Sequence, residues 1–264
     1  MKRTIRNLLG QSLFMSGLDE ILLRNAAVIV TFHRVQDGAG SDPLTMGVRE
    51  FERYCRFFKE HFRVVPLLDL VDKLTGGHPL HGSLAITFDD GYRDNFENAA
   101  PVLEELSLPA TFFLVTQWVG TDVIPWWDRE QGVRHPWMTW ADVRMLHEKG
   151  FDIGAHTRTH VDLGRVESQD ARDEIFGARA ELEQRLGGAI ESFAYPYGGR
   201  DNLTSDNREL VKAAGFRCCC SGFGGTNGPD TDPFSLLRVP ISPAHESPHH
   251  FGFDVACGRS LLPA

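Results

Sequence analysis

The chain has 264 residues, 42% hydrophobic and 24% charged, enough for one large α/β domain with its own core. A formal net charge of −9 argues against nucleic acid as a partner and for a neutral or cationic substrate over a polyanionic one. No stretch reaches the roughly 18 consecutive apolar residues of a membrane-spanning helix.

Residues 1–25 carry Lys2, Arg3 and Arg6 beside scattered leucines, without the clean apolar run and small-residue cleavage site of a signal peptide. They read as an amphipathic helix docked on the domain, with a membrane-surface helix as the alternative. Residues 26–264 then read as a single domain. Short apolar runs alternate with helical patterns. Strands are predicted at Ala27–Phe32, Arg63–Pro66, Leu84–Phe88, Ala110–Val115, Phe151–Ala155, Phe193–Tyr195, Phe216–Ser221 and Leu237–Ile241. Helices are predicted at Val48–His61, Leu67–Leu74, Asn98–Leu106, Thr139–Lys149, Ser168–Leu186 and Asn207–Ala214. Thr139 is the expected N-cap of its helix and Gly150 its stop. This alternation predicts a parallel sheet with helices outside it. The segment Gly222–Pro233 reads as a long loop within the domain.

Five cysteines, three of them consecutive (Cys218, Cys219 and Cys220), do not form a disulfide framework. Reduced thiols in a cytoplasmic protein, peripheral to a membrane if residues 1–25 bind one, are the simpler expectation. The three consecutive cysteines read as small buried hydrophobes, with a soft-metal site as the minor alternative.

The run Ala85–Phe88 ends in Asp89 and Asp90, followed by Gly91. Neighbouring side chains on a strand point to opposite faces, so two carboxylates serve one site only where the backbone turns. Two like charges held close require a cation or a proton between them. His156 and His160 follow the apolar strand Phe151–Ala155, and Tyr197-Gly198 and His33-Arg34 also follow strands. In parallel α/β folds the C-terminal strand edge is where sites are built, so these clusters are expected to converge. Trp118, Trp126, Trp127, Trp137 and Trp140 fall within 23 residues, and Trp126 and Trp127 offer aromatic faces for a sugar ring.

Thr87-Phe88-Asp89-Asp90-Gly91, His156-Thr157-Arg158-Thr159-His160 and Tyr195-Pro196-Tyr197-Gly198 resemble, in order, the three motifs of the polysaccharide deacetylases, carbohydrate esterase family 4 or the NodB-homology group. The resemblance implies a distorted (β/α) barrel of about seven parallel strands. It implies one divalent metal, zinc first among zinc, iron, cobalt, nickel and manganese, held by Asp90, His156 and His160. It also implies Asp89 as the base that takes a proton from water during removal of an N-acetyl or O-acetyl group from a glycan. Tyr197, Pro196, Trp127 and His33 are the expected substrate-binding residues.

Two departures from the family pattern stand out. The arginine that usually opens the third motif is Ala194, and Arg238 is the expected substitute for orienting the base. The family's histidine motif near the C-terminus is missing. His245 is taken as the general acid, with His33, His249 and His250 as the other candidates. These departures keep two further readings open: a hydrolase of small cyclic amides or ureides on the same fold, and a non-catalytic carbohydrate-binding relative.

Overall fold

A computed structural model describes residues 2–38, 42–241, 245 and 247–258. The outer limits of the segments expected at 1–25 and 26–264 therefore lie partly outside the described residues. In chain order the elements are α1 (Lys2–Met15), α2 (Leu18–Leu22), β1 (Ala27–Phe32), β2 (Arg34–Val35), β3 (Thr45–Met46), α3 (Val48–His61), β4 (Arg63–Val64) and α4 (Leu67–Thr75). There follow β5 (Ser83–Phe88), α5 (Ala100–Leu106), β6 (Thr111–Leu114), α6 (Trp126–Gln131), α7 (Trp140–Glu148), β7 (Asp152–Ala155) and α8 (Ser168–Leu186). The last are β8 (Ser192–Ala194), α9 (Ser205–Ala213), β9 (Cys218–Cys220), β10 (Val239–Pro240) and α10 (Pro248–Ala256).

Seven strands pair in the order β10-β1-β5-β6-β7-β8-β9, every pair parallel, and β4 adds to β5 off this path. This is the barrel-like parallel α/β sheet predicted from the alternation and implied by the resemblance. β1 and β5 are buried along their whole length, as strands covered on both faces must be. Phe32, Phe88 and Phe112 from three adjacent strands stack beneath the C-terminal edge, at centroid spacings of 5.5 and 4.8 Å. That floor holds the strand ends in fixed register, with Phe32 paired to Phe88 and Phe88 to Phe112.

Local chemistry accounts for the helix ends. Thr139 caps α7 in a reciprocal box with Asp142, each side chain accepting from the other's backbone N–H. α8 runs from Ser168 to Leu186 with Ile175, Ala178 and Leu182 buried, and stops at Gly187 in the left-handed region. Cys218, Cys219 and Cys220 form buried β9, and burial pushes the Cys219 thiol well above its ordinary range.

Besides the short paired strands β2 and β3, three elements depart from the sequence expectation. Residues 95–99 form a wider π-type turn ahead of α5, so that helix begins later, at Ala100. The short α6 carries Trp126 and Trp127. The third, α10 (sequence PHHFGFDVA), opens with a proline, two histidines and, four residues in, a glycine, and shows no clear apolar stripe. α10 packs against α1 at close range. A Cβ on Gly10 would meet the His249 carbonyl oxygen at 2.0 Å, and one on Gly252 would meet the Phe14 ring at 2.4 Å. Arg6 donates to Asp254 across the same junction at 3.3 Å.

Candidate active site

The acid pair sits where β5 ends. Asp90 has φ +73° and Gly91 φ +88°, so the chain turns through the left-handed region immediately after Asp89. That turn breaks strand alternation and brings both carboxylates to one cavity. Asp90, Thr157, His160 and Tyr197 all hold positive φ without being glycine, a costly conformation even singly and most of all for β-branched Thr157. Their concentration at the three predicted motifs marks a site that the surrounding structure holds in place.

Asp90, His156 and His160 are buried, with one ligand atom from each lying within 4.8 Å of the others. His156 Nδ1 lies 2.8 Å from the Ala194 carbonyl oxygen; as the donor there, it leaves the lone pair on Nε2 facing Asp90. The Nε2 atoms of His156 and His160 stand 3.5 and 3.2 Å from Asp90 Oδ1. Both contacts are in reach but off hydrogen-bond alignment, and Oδ1 stays buried without a donor. An uncompensated carboxylate oxygen facing two imidazole nitrogens is what a divalent cation satisfies, so the residues fit the implied metal. Burial pushes His156 down to about 4, which keeps it neutral and able to ligate at neutral pH. For Asp90, burial acts to raise the pKa, but His160, joined by His33 and His156, outweighs it and holds the carboxyl well below the usual range.

Glu174 on α8 shapes the histidine loop. Its Oε2 accepts from the backbone N–H of Arg158 (2.7 Å) and Thr159 (2.9 Å), and its Oε1 from the Thr159 hydroxyl (2.7 Å). Thr157 Oγ1 accepts from the His160 amide at 3.0 Å. The His160 ring is then enclosed by Trp118, Trp127 and Tyr197, at centroid distances of 5.2, 5.1 and 4.9 Å.

Asp89 has a different partner. Arg238, fully buried beside β10, donates from Nη1 to Asp89 Oδ1 and from Nη2 to Oδ2, each at 2.7 Å. Its Nε donates to the Ser221 carbonyl at 2.6 Å, and Nη1 also reaches the Thr31 and Thr87 hydroxyls at 3.3 and 3.2 Å. Burial acts to raise Asp89, but Arg238, joined by His156 and His33, outweighs it and the carboxyl lies below its ordinary value. Ala194, at the place of the family's usual arginine, is buried in the sheet. Arg238 thus reaches Asp89 from the seam between β9 and β10, two chain segments over from Ala194 on β8.

A cavity of about 420 Å³ opens over these groups, within the size range of small-molecule sites. Asp89, Asp90, His156, His160 and Arg238 lie at its base, and His33, Trp126, Trp127, Tyr197 and Leu44 line its walls. Register explains His33: Phe32 pairs with Phe88, so His33 and Asp89 lead off adjacent strand ends. Two expected site residues are not brought to the cavity. Pro196 is buried behind the Tyr197 turn, where its carbonyl accepts from Gly198 N–H at 2.7 Å. The His245 ring packs against His250 and Phe251 of α10, both at 5.8 Å, and does not line the cavity. His245 is thereby replaced as acid candidate by His33, the one of the four candidates that lines the cavity.

Sequence reasoning missed the anchor of the tryptophan wall. Buried Arg34, next to His33, donates from Nη1 to Asp128 Oδ1 on α6 at 2.6 Å and pairs with Asp42 through Nη2. Its guanidinium lies 4.9 Å from the Tyr92 ring centroid, and the Tyr92 hydroxyl accepts from the Trp127 indole N–H at 3.0 Å. Arg34 thereby fastens α6, with Trp126 and Trp127, over the cavity. Asp128→Asn is expected to cost about 3 kcal/mol of stability, because it leaves a buried guanidinium short of a counter-charge. Kinetically it should raise KM for a glycan far more than it lowers kcat. An unchanged KM would show that packing alone holds the wall.

Among known proteins, YxkH of Bacillus subtilis is 24% identical over 220 residues, covering 81% of this chain and 71% of its own. The poly-β-1,6-N-acetyl-D-glucosamine N-deacetylase of Escherichia coli K12 is 28% identical over 140 residues, covering 50% of this chain but only 21% of its own length. Two solved structures share the fold: the Streptococcus pyogenes deacetylase PplD (TM-score 0.73, 18% identity, 86% of this chain and 97% of that one) and IcaB of Ammonifex degensii (TM-score 0.72, 23% identity, 87% and 97%). Residues 77–219 match the polysaccharide deacetylase family, a span that takes in the acid pair, both histidines and the Tyr197 turn, and the chain belongs to that family.

Proposed function

We propose that this chain hydrolyses the acetamide of an N-acetylated glycan, with Asp89 as general base and His33 as general acid. The observation that carries the reading is the division of labour between adjacent carboxylates. Asp89 is gripped by Arg238, and Asp90 faces two imidazoles at the base of the same cavity. Asp90, His156 and His160 hold the divalent ion, zinc first among the metals that mixed nitrogen and oxygen ligands suit. When bound, the ion supplies Lewis acidity toward the carbonyl and makes water more acidic.

The chain's own residues do the rest. Asp89, kept ionised by Arg238, takes a proton from the attacking water as its oxygen adds to the acetyl carbon. His33, across the cavity mouth on the neighbouring strand end, gives a proton to the departing nitrogen as the C–N bond breaks. The products are acetate and a free amine. The Tyr197 backbone amide, on a turn at the cavity lip, stabilises the oxyanion in this reading. Trp126 and Trp127 offer faces for the sugar ring. An N-acetylhexosamine substrate is supported by the E. coli relative, a poly-β-1,6-N-acetyl-D-glucosamine N-deacetylase of which this chain spans about a fifth.

Purified protein is expected to hold about one divalent ion per chain and to release acetate from chitooligosaccharides. His33→Ala should keep the ion and lose about 10²-fold or more in kcat, the scale of a general acid. Full activity in metal-stripped protein would overturn the reading. Turnover of cyclic ureides with no acetate release from any acetylated sugar would assign the cavity to the alternative hydrolase.

A further inference from the structure

Of the twelve exposed large apolar side chains among the described residues, seven lie on α1 and α2. Ile5, Leu8, Leu9 and Met15 form one stripe of α1, at helical spacing, on the side away from α10. Leu18, Ile21 and Leu22 continue it onto α2. The inward side of α1 is already committed: Phe14 is buried against Phe57 at 4.9 Å, and Gly10 lies against the His249 backbone. The outward stripe is therefore not a core face waiting for this domain's own helices.

The charge on α1 is basic in an acidic chain. Lys2 and Arg3 stand in the first turn of α1, and Arg6, paired with Asp254 of α10, in the second, with no acid before Asp19 in a protein of net charge −9. Asp19 is buried, so the exposed acid of this face is Glu20, on α2 and away from the basic end of α1. Cations in the first turn of a helix are disfavoured by its dipole, so local helix physics gives no reason for Lys2 and Arg3. An anionic surface does, because it neutralises the cations while the apolar stripe leaves water. A second copy docked about a twofold axis would instead bring two sets of cations onto one apolar patch.

We propose that the α1–α2 face is a membrane-surface site that lays its apolar stripe into a bilayer of anionic lipid. Among the described residues no helix is long and apolar enough to cross a membrane, which matches a helix lying in the interface plane. The placement leaves the cavity free. α2 ends against the turn that feeds β5, where Leu23 and Arg24 carbonyls accept from Gly82 and His81, at the N-terminal end of the strands. The cavity opens at their C-terminal ends, and no residue of the stripe lines it.

Co-sedimentation of the full chain with phosphatidylglycerol–phosphatidylcholine vesicles, against pure phosphatidylcholine, tests the proposal. Wild type is expected to partition onto the anionic vesicles and to be released by salt. The double variant Leu8→Glu with Leu9→Glu should lower that partition at least about tenfold, through lost apolar burial and added like charge. Arg3→Glu should weaken it several-fold on anionic vesicles only. Both variants should keep the wild-type Tm and acetate release from soluble oligosaccharide. The proposal is overturned if wild type ignores anionic vesicles or the variants bind as wild type does. It is equally overturned if light scattering shows a dimer that the double variant dissolves while lipid binding is absent.

Discussion

Asp89→Asn is expected to retain the divalent ion at wild-type stoichiometry and to release acetate about 10²–10⁴-fold more slowly, the contribution of a positioned general base. The expectation follows from which oxygens are already occupied. Both Asp89 oxygens accept from Arg238 at 2.7 Å, while Asp90 Oδ1 is buried, faces two imidazoles and has no donor. A carboxylate held in a bidentate grip is positioned to move a proton, whereas an orphaned one is positioned to ligate. Asp90→Ala and His156→Ala should therefore do what Asp89→Asn does not: lose the ion, measured by metal analysis, and lose activity with it. The informative contrast is metal content at equal loss of turnover. If Asp89→Asn emptied the site, the two aspartates would have to exchange roles. If it stayed active, the base would lie elsewhere in the cavity, with His33 the first residue to examine.

Much of this site was legible in the sequence because its main signals are local. A strand-forming run followed by Asp-Asp-Gly announces a turn at a strand end, and the positive φ of Asp90 is that turn. The capping pair Thr139 and Asp142 and the Gly187 stop of α8 are likewise written within a few residues of one another. What stayed hidden depends on pairings distant in the chain. Arg34 reaches Asp128 across 94 residues, and Glu174 reaches the Thr159 amide across 15. No local pattern marks either acid as different from a solvated charge. α10 was missed for a different reason. It buries His250 and Asp254 together with Phe251, so its inward face does not read as an apolar stripe. His245 was misjudged along with it: histidines near the chain's end looked like a displaced acid motif, but their neighbourhood packs against α1 and α3 rather than over the cavity. His33 carries the better placement because strand register, which the sequence does not display, sets it beside Asp89.

Arg238→Met is expected to be the most destabilising substitution outside the metal ligands, and to act on turnover through Asp89. The guanidinium is fully buried, and its neighbours leave Asp89 no other cationic side chain in hydrogen-bond reach among the described residues. Removing it strands a buried carboxylate, a loss of about 3–5 kcal/mol when one partner of such a pair is deleted. That corresponds to a fall in Tm on the order of 10 °C. The kinetic loss should fall on kcat, about 10²-fold for a base displaced by as little as an ångström, with KM nearly unchanged because Arg238 lies beneath the substrate walls formed by the tryptophans and Tyr197. Arg238→Lys separates positioning from charge. A lysine supplies the positive charge but only a point contact, so it should restore most of the stability and only part of kcat. The double variant Asp89→Asn with Arg238→Met completes the cycle. Once the carboxylate is neutral, the loss of Arg238 should cost much less stability than it does alone, and kcat should fall little below that of Asp89→Asn, because both changes remove the same proton transfer. Additive losses in kcat would mean that Arg238 acts on the reaction independently of Asp89, and the substitution of Arg238 for the arginine missing at Ala194 would then have to be abandoned.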